Sequence, residues 1–210
     1  MRKVDENLPA HLERIDPYDE NPPSSSRIII VRMVDMVGGG TLSACLREEI
    51  SGGAVIEMTR IHNMINAGPA TKDRSAISDG LHSLLSVSAR SLLRARYSPL
   101  LILGAISGDG LDELRSNFTG MNVTSVSLYL SDRALTRQYR QMRARTLYTM
   151  LSPPDLLTKL RARRTLDGLK LEEARSWNSE ICATRDRADC SFDVSNQDPK
   201  SIFLHLSSLI

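Results

Sequence analysis

A three-layer α/β/α domain built on a five-stranded, mostly parallel sheet is the fold class that this sequence predicts. Three observations point to it. Short apolar runs alternate along the chain with segments of helical periodicity, the order that right-handed strand–helix–strand crossovers produce. Aromatic residues make up only 4%, so the core must be aliphatic, which suits helices layered on a parallel sheet. The first apolar run passes through three glycines straight into an amphipathic segment, from Arg27 to Ile50.

Met1 to Ser26 is polar and carries Pro9, Pro17, Pro22 and Pro23, with no hydrophobic period, and reads as an extended or disordered arm. One domain is expected from Arg27 to Ile210. Ile28 to Val34 is a β-branched run suited to a strand covered on both faces. Thr41 to Ile50 places Leu42, Cys45, Leu46 and Ile50 on one helical stripe, with Cys45 expected to be buried as a small hydrophobe. Ala54 to Thr59 reads as a second strand.

Ile77, Leu81, Leu84, Leu85, Leu92 and Leu93 mark a helix to about Arg96, and Pro99 to Gly104, wholly apolar, predicts a central strand. A short helix over Leu111 to Phe118 and a strand over Val123 to Leu130 follow. From Arg133 to Met150 a long helix places Leu135, Tyr139 and Met142 on one face and Arg133, Arg137 and Arg140 on the other. The segment of about 150–170 is broken by Pro153 and Pro154 and carries a short basic stretch, Leu156 to Arg164. Leu171 to Ile181 predicts a helix, with Trp177 as a packing anchor, and Cys190 to Ser195 a fifth strand. Asp198-Pro199 supplies an N-cap and a first-turn proline for a last helix striped by Ile202, Phe203, Leu206 and Leu209.

Net charge is only +2, which favours neither a nucleic-acid binder nor a membrane-surface protein. Its distribution says more. Residues 1–26 hold six acidic and three basic side chains, whereas residues 132–187 hold thirteen basic and seven acidic. Basic and acidic side chains are mixed in that second segment, and no nucleic-acid recognition motif accompanies them. Three cysteines without metal-ligand spacing imply neither a disulfide framework nor a zinc site. With no apolar signal core and no stretch of about 20 apolar residues, a soluble intracellular protein is expected, with the cytoplasm favoured.

Strand, glycine-rich turn, helix is the plan of a phosphate-binding loop, in which backbone N–H groups and a helix N-terminus face an anion. The loop here lacks a lysine: none occurs between Lys3 and Lys72.

Three stretches carry a wider likeness. They are Ile28–Val31 with Gly38-Gly-Gly-Thr-Leu-Ser-Ala-Cys-Leu46, then Ser125-Val-Ser-Leu-Tyr-Leu-Ser-Asp-Arg through Arg140, then Arg185 through Asp193-Val-Ser-Asn-Gln-Asp-Pro-Lys200. Together these resemble the P-loop kinases of nucleoside monophosphates and small metabolites, in the branch of cytidylate, adenylate and dephospho-coenzyme A kinases. Leu103 to Arg115 is similar to the segment after the third strand in the last of these.

The resemblance implies ATP and magnesium as cofactors if the protein is active, and none otherwise. It implies Gly38, Gly39, Gly40, Thr41 and Asp35 around the phosphates, with the Thr41 hydroxyl on magnesium. It implies that Arg133, Arg137 and Arg140 take part in catalysis. Arg60, Asp73 and Arg74, together with Arg161, Arg163 and Arg164 in a lid-like segment, would meet the acceptor or its phosphates. A solvated surface accounts for these charges equally well.

Aligning Thr41 with the family's hydroxyl leaves Gly39 where the lysine stands, with Met33 and Met36 where glycines stand. Loss of one pre-placed charge donor costs on the order of 10²–10³ in rate by analogy with oxyanion sites. No carboxylate ends the third strand. Asp35 is either a turn cap or a metal-shell ligand, and Glu57 either a solvated strand-edge acid or another such ligand.

The expectation is a kinase-like protein with a degenerate phosphate loop, serving as a nucleotide- or anion-binding or scaffold module with lost or weak phosphotransfer. The alternative is an active small-molecule or nucleoside-monophosphate kinase with an arginine, Arg32 or Arg137, in place of the lysine. Expected partners are a nucleotide or phosphorylated small molecule, and a protein docked through the N-terminal arm; membrane and nucleic acid are not expected.

Overall fold

The middle strand of the sheet is β1 (Arg27–Arg32), in which Ile28, Ile29, Ile30 and Val31 are all fully buried. The computed structural model describes residues 26–34, 39–65, 74–151, 158–160, 162–163, 166 and 170–209. Around β1 lie β2 (Ala54–Glu57), β3 (Leu100–Gly104), β4 (Asn122–Tyr129) and β5 (Cys190–Asp193), in the order β2-β3-β1-β4-β5. Every pairing is parallel. Ile30 stands opposite Ile102 on one side and Ser125 on the other. β3, expected at the centre, lies one place from it, still paired on both edges and wholly buried.

The sheet is accompanied by the helices α1 (Gly39–Glu49), α2 (Met58–Ile65), α3 (Arg74–Arg94), α4 (Gly108–Asn117), α5 (Asp132–Leu151), α6 (Leu171–Ala183) and α7 (Pro199–Ser207). Alternation along the strands sorts the core into two apolar layers. Ile29, Val31, Leu101, Val126 and Leu128 pack with Leu42 and Leu46 of α1, Leu135 of α5, Ile181 of α6, and Ile202 and Leu206 of α7. On the opposite face, Ile28, Ile30, Leu100 and Ile102 pack with Met58 and Ile61 of α2, Leu85, Ala89 and Leu93 of α3, and Leu111 and Leu114 of α4. Each such side chain contributes about 1.5–3 kcal/mol on full burial. The three-layer expectation holds.

Two expectations change. The second strand stops at Glu57 rather than Thr59, because Met58 opens a helix whose buried Met58 and Ile61 lie one turn apart. Gly104 at the end of β3 fits that helix closely: a Cβ there would stand 2.7 Å from the Met58 Cβ. Cys45 is half-buried rather than buried, and Ser43 of α1 is fully enclosed. The Asp198 N-cap is present, accepting the Ser201 N–H at 2.7 Å with Pro199 in the first turn. Trp177 packs against the core as expected. Among the described residues no helix is long and apolar enough to cross a membrane.

Candidate anion-binding site

In a parallel sheet, loops that leave the strands' carboxyl ends form the binding crevice, centred where the strand order reverses. Here that is the end of β1, between β3 and β4. The chain stays in the core beyond the strand: Met33 and Val34 are buried, and Met33 N–H donates to Gly104 O at 2.9 Å. Met33 is therefore a core side chain although it lies past the end of the strand. Gly39, Gly40 and Thr41 form the first turn of α1, where backbone N–H groups lack intrahelical acceptors and favour an anion. Asp35 and Gly38, and the Thr41 side chain, lie outside the described residues.

Arg32, the cation nearest that turn in sequence, is fully buried on the face opposite α1's apolar layer. Its guanidinium donates to Ile106 O at 3.0 Å, Ser127 Oγ at 3.3 Å, Thr184 O at 3.0 Å and Thr184 Oγ1 at 2.6 Å. Burial lowers its pKa from the ordinary arginine value, an effect opposed by the nearby Glu180 carboxylate. These bonds join the ends of β1 and β4 to the β3–α4 loop and the end of α6. α6 is drawn in further by Glu180, whose carboxylate accepts the Gly108 N–H at 3.2 Å. Gly108 permits that approach; a Cβ there would lie 2.9 Å from the Thr184 methyl.

Glu57, at the end of β2, is mostly enclosed rather than solvated, and both its oxygens are hydrogen-bonded. One oxygen accepts Ser43 Oγ and Arg47 at 2.5 and 2.8 Å, and the other accepts Arg60 Nε at 2.9 Å. It ties α1 and α2 to the sheet and pairs with Arg60, the expected substrate contact, whose side chain stays exposed. β3 ends in Gly104. No group of three or more His, Cys, Asp or Glu side chains among the described residues could hold a metal ion.

On the other flank, α5 starts directly after β4. Asp132 holds Arg175 of α6 by a two-point contact at 2.7 and 3.2 Å. Asn178 of α6 pairs with both backbone groups of Leu130. The loop after β5 is knotted locally: Asp193 accepts from Ser195 N and Oγ, and Ser195 Oγ accepts the Ser131 N–H at 2.7 Å. Arg137 donates to Ser195 O at 2.9 Å, which places the start of the arginine stripe at the sheet's carboxyl edge. Arg133 and Arg140 are exposed and have no ion pair among the described residues.

Arg163 is exposed as well, whereas Arg161, Arg164 and Asp73 lie outside the described residues, as does the side chain of Arg74, the first residue of α3.

Sequence reasoning missed the contacts that place α6 and α4. Arg115 donates to Ser125 Oγ at 2.7 Å and pairs with Asp189 at 2.6 Å. Arg187 bridges Asp109 and Asp112 at 2.7 and 3.0 Å. The ion-pair partners Asp189, Asp109 and Asp112 come from 74 to 78 residues away and leave no local signature. Burial pushes the Asp189 carboxyl up, but hydrogen bonds from Ser125 N–H and the Arg115 guanidinium outweigh it and hold the group below the usual carboxylate range.

No protein-family model matches the chain, and no curated protein sequence matches it. Solved structures do. The chain is similar to the tunicamycin resistance protein of Deinococcus radiodurans, with a TM-score of 0.59 and 14% identity over 88% of this chain and 95% of that one. It is similar to the APS kinase of Mycobacterium tuberculosis, solved with AMPPNP and APS, at TM-score 0.54 and 14% identity over 89% and 98%. Shikimate kinase from Bacteroides thetaiotaomicron matches at 0.52 and 11% over 88% and 97%. At these identities the likeness carries the fold, which is P-loop kinase-like.

Proposed function

We propose that this chain is an anion- or nucleotide-binding module on a P-loop kinase-like fold, with phosphotransfer lost or weak. The observation that carries the reading is the pairing of Gly39 at the head of α1, where the family's lysine is expected, with the burial of Arg32. The nearest cation in the sequence is held by Ile106, Ser127 and Thr184 and cannot turn toward a phosphate without breaking those bonds, the one to the buried Ile106 carbonyl among them. What supports binding is the first turn of α1 together with the Arg133, Arg137 and Arg140 stripe. Backbone N–H groups would receive one phosphate and guanidiniums would clamp another.

Calorimetry with pyrophosphate and with ATP, each with and without magnesium, tests this reading. Expected are binding that magnesium does not strengthen and a loss of affinity in an Arg133→Gln, Arg137→Gln, Arg140→Gln variant. Mg-ATP mixed with nucleoside monophosphates and small hydroxylated metabolites should give no turnover above a Gly39→Ala control; clear turnover would overturn the reading.

An active kinase is the second reading, and one observation favours it: Arg137 lies at the carboxyl edge of the sheet through its bond to Ser195 O. It requires Arg137→Ala to abolish a measurable activity.

A further inference from the structure

The exposed face of α5 has two parts. Arg133, Arg137 and Arg140 recur at helical spacing along its first half, and Leu147, Tyr148 and Leu151 continue the same face at its end. Those three apolar side chains are 39%, 75% and 86% exposed. Arg143 and Arg145 are exposed beside them. α5 holds five arginines and one acid, Asp132, which is already bonded to Arg175. A helix with a basic half and an apolar end, both exposed, is unusual for a solvated face and fits a segment of the opposite charge that also carries apolar side chains.

The sequence contains such a segment. Leu12-Glu13-Arg14-Ile15-Asp16-Pro17-Tyr18-Asp19-Glu20 interleaves four acids with Leu12, Ile15 and Tyr18, and no base occurs between Arg14 and Arg27. From Asp16 to Arg27 an extended chain reaches up to about 35–40 Å. β1 is about 20 Å long, β4 lies about 4.8 Å beside it, and a helix layer adds about 10 Å, so the start of α5, three residues past β4, is within reach of Asp16, and the residues before Asp16 extend that reach along the helix.

We propose that the acidic segment Leu12–Glu20 docks on the exposed face of α5 in the same chain, its carboxylates against the arginines and its apolar side chains against Leu147, Tyr148 and Leu151. It thereby competes with phosphate anions for Arg133, Arg137 and Arg140. The competition rests on the anion-binding reading of this face; the docking is tested separately.

Two experiments on the full chain decide it. A variant with Arg140→Lys and Arg143→Lys keeps the charge and adds amines that carbodiimide couples to carboxylates. Mass spectrometry of the monomer fraction is expected to find those lysines joined to Glu13, Asp16, Asp19 or Glu20. Crosslinks confined to dimers, or none to these acids, would overturn the docking. A second variant, with Asp16→Asn, Asp19→Asn and Glu20→Gln, is expected to bind pyrophosphate roughly fivefold more tightly than the native chain at low salt, and equally at high salt. Equal affinity at low salt overturns the competition. Failure of pyrophosphate to bind either form overturns the anion reading, and the crosslinks then still decide the docking.

Discussion

Thr184, the residue that closes α6, takes two bonds from the guanidinium of Arg32, 3.0 Å to its carbonyl and 2.6 Å to its hydroxyl. A strand residue and a helix end 152 positions apart are thus held together by one buried side chain. The cation that sequence proximity offers to the glycine turn is a structural bolt.

Arg32→Met would leave the buried carbonyl of Ile106 without its guanidinium donor and remove the bonds to Ser127 and Thr184, whose carbonyl keeps the Arg187 N–H at 3.2 Å. Unpaired groups of this kind cost about 1–3 kcal/mol each. A loss of about 3 kcal/mol is expected, lowering Tm by roughly 6–12 °C for a chain of this size. Arg187→Met removes only exposed pairs to Asp109 and Asp112 and should cost about 1 kcal/mol or less. Thermal unfolding of the two variants side by side checks the contrast; equal effects would count against it.

Glu57→Gln weakens three contacts at once, because Ser43, Arg47 and Arg60 all donate to the carboxylate. Ser43 is fully buried, so its hydroxyl cannot turn to water. A loss of about 1.5–3 kcal/mol in urea unfolding is expected, the range for hydrogen bonds to a charged group. Magnesium should leave the unfolding midpoint unchanged in both proteins. A magnesium-dependent rise in the native chain alone would return Glu57 to the metal shell.

If the missing amine at position 39 is what limits nucleotide affinity, supplying it should help. Gly39→Lys is expected to tighten ATP binding by at least about tenfold, equivalent to about 1.4 kcal/mol. Calorimetry on the native and variant chains measures this directly. Unchanged affinity would show that the turn does not present a lysine to the phosphates.

Asp189 predicts a signature in acid. Its carboxyl is held below the ordinary range in the folded state, so its stabilising contribution is complete above the unfolded pKa of about 3.9. That contribution is lost as pH falls through the lower folded value. Asp189→Asn should therefore be less stable than the native chain at pH 7, with the gap narrowing below about pH 4. Urea midpoints across that window provide the test.

Much of the fold was legible because its determinants are local. The run Ile28–Val31, the Leu42 and Leu46 spacing, and Asp198-Pro199 each act within a few residues of themselves. The helix Met58–Ile65 was not legible, since it follows β2 with no turn residue to mark the change. For the candidate site, the exposed stripe of Arg133, Arg137 and Arg140 followed from periodicity. The commitment of Arg32 to Thr184, and of Glu57 to two arginines, did not, because the partners come from other elements.

Residue order alone established the alternation of strands and helices, the aliphatic layers and the absence of a lysine from the glycine turn. Those depend on which side chains recur at periods of 2 and 3.6, and on what is simply not encoded. Tertiary structure decided which charges remain available. Whether an arginine meets a ligand or a carbonyl depends on burial and on partners far away in the chain. Only packing sets both, through the cost of leaving a buried polar group unpaired.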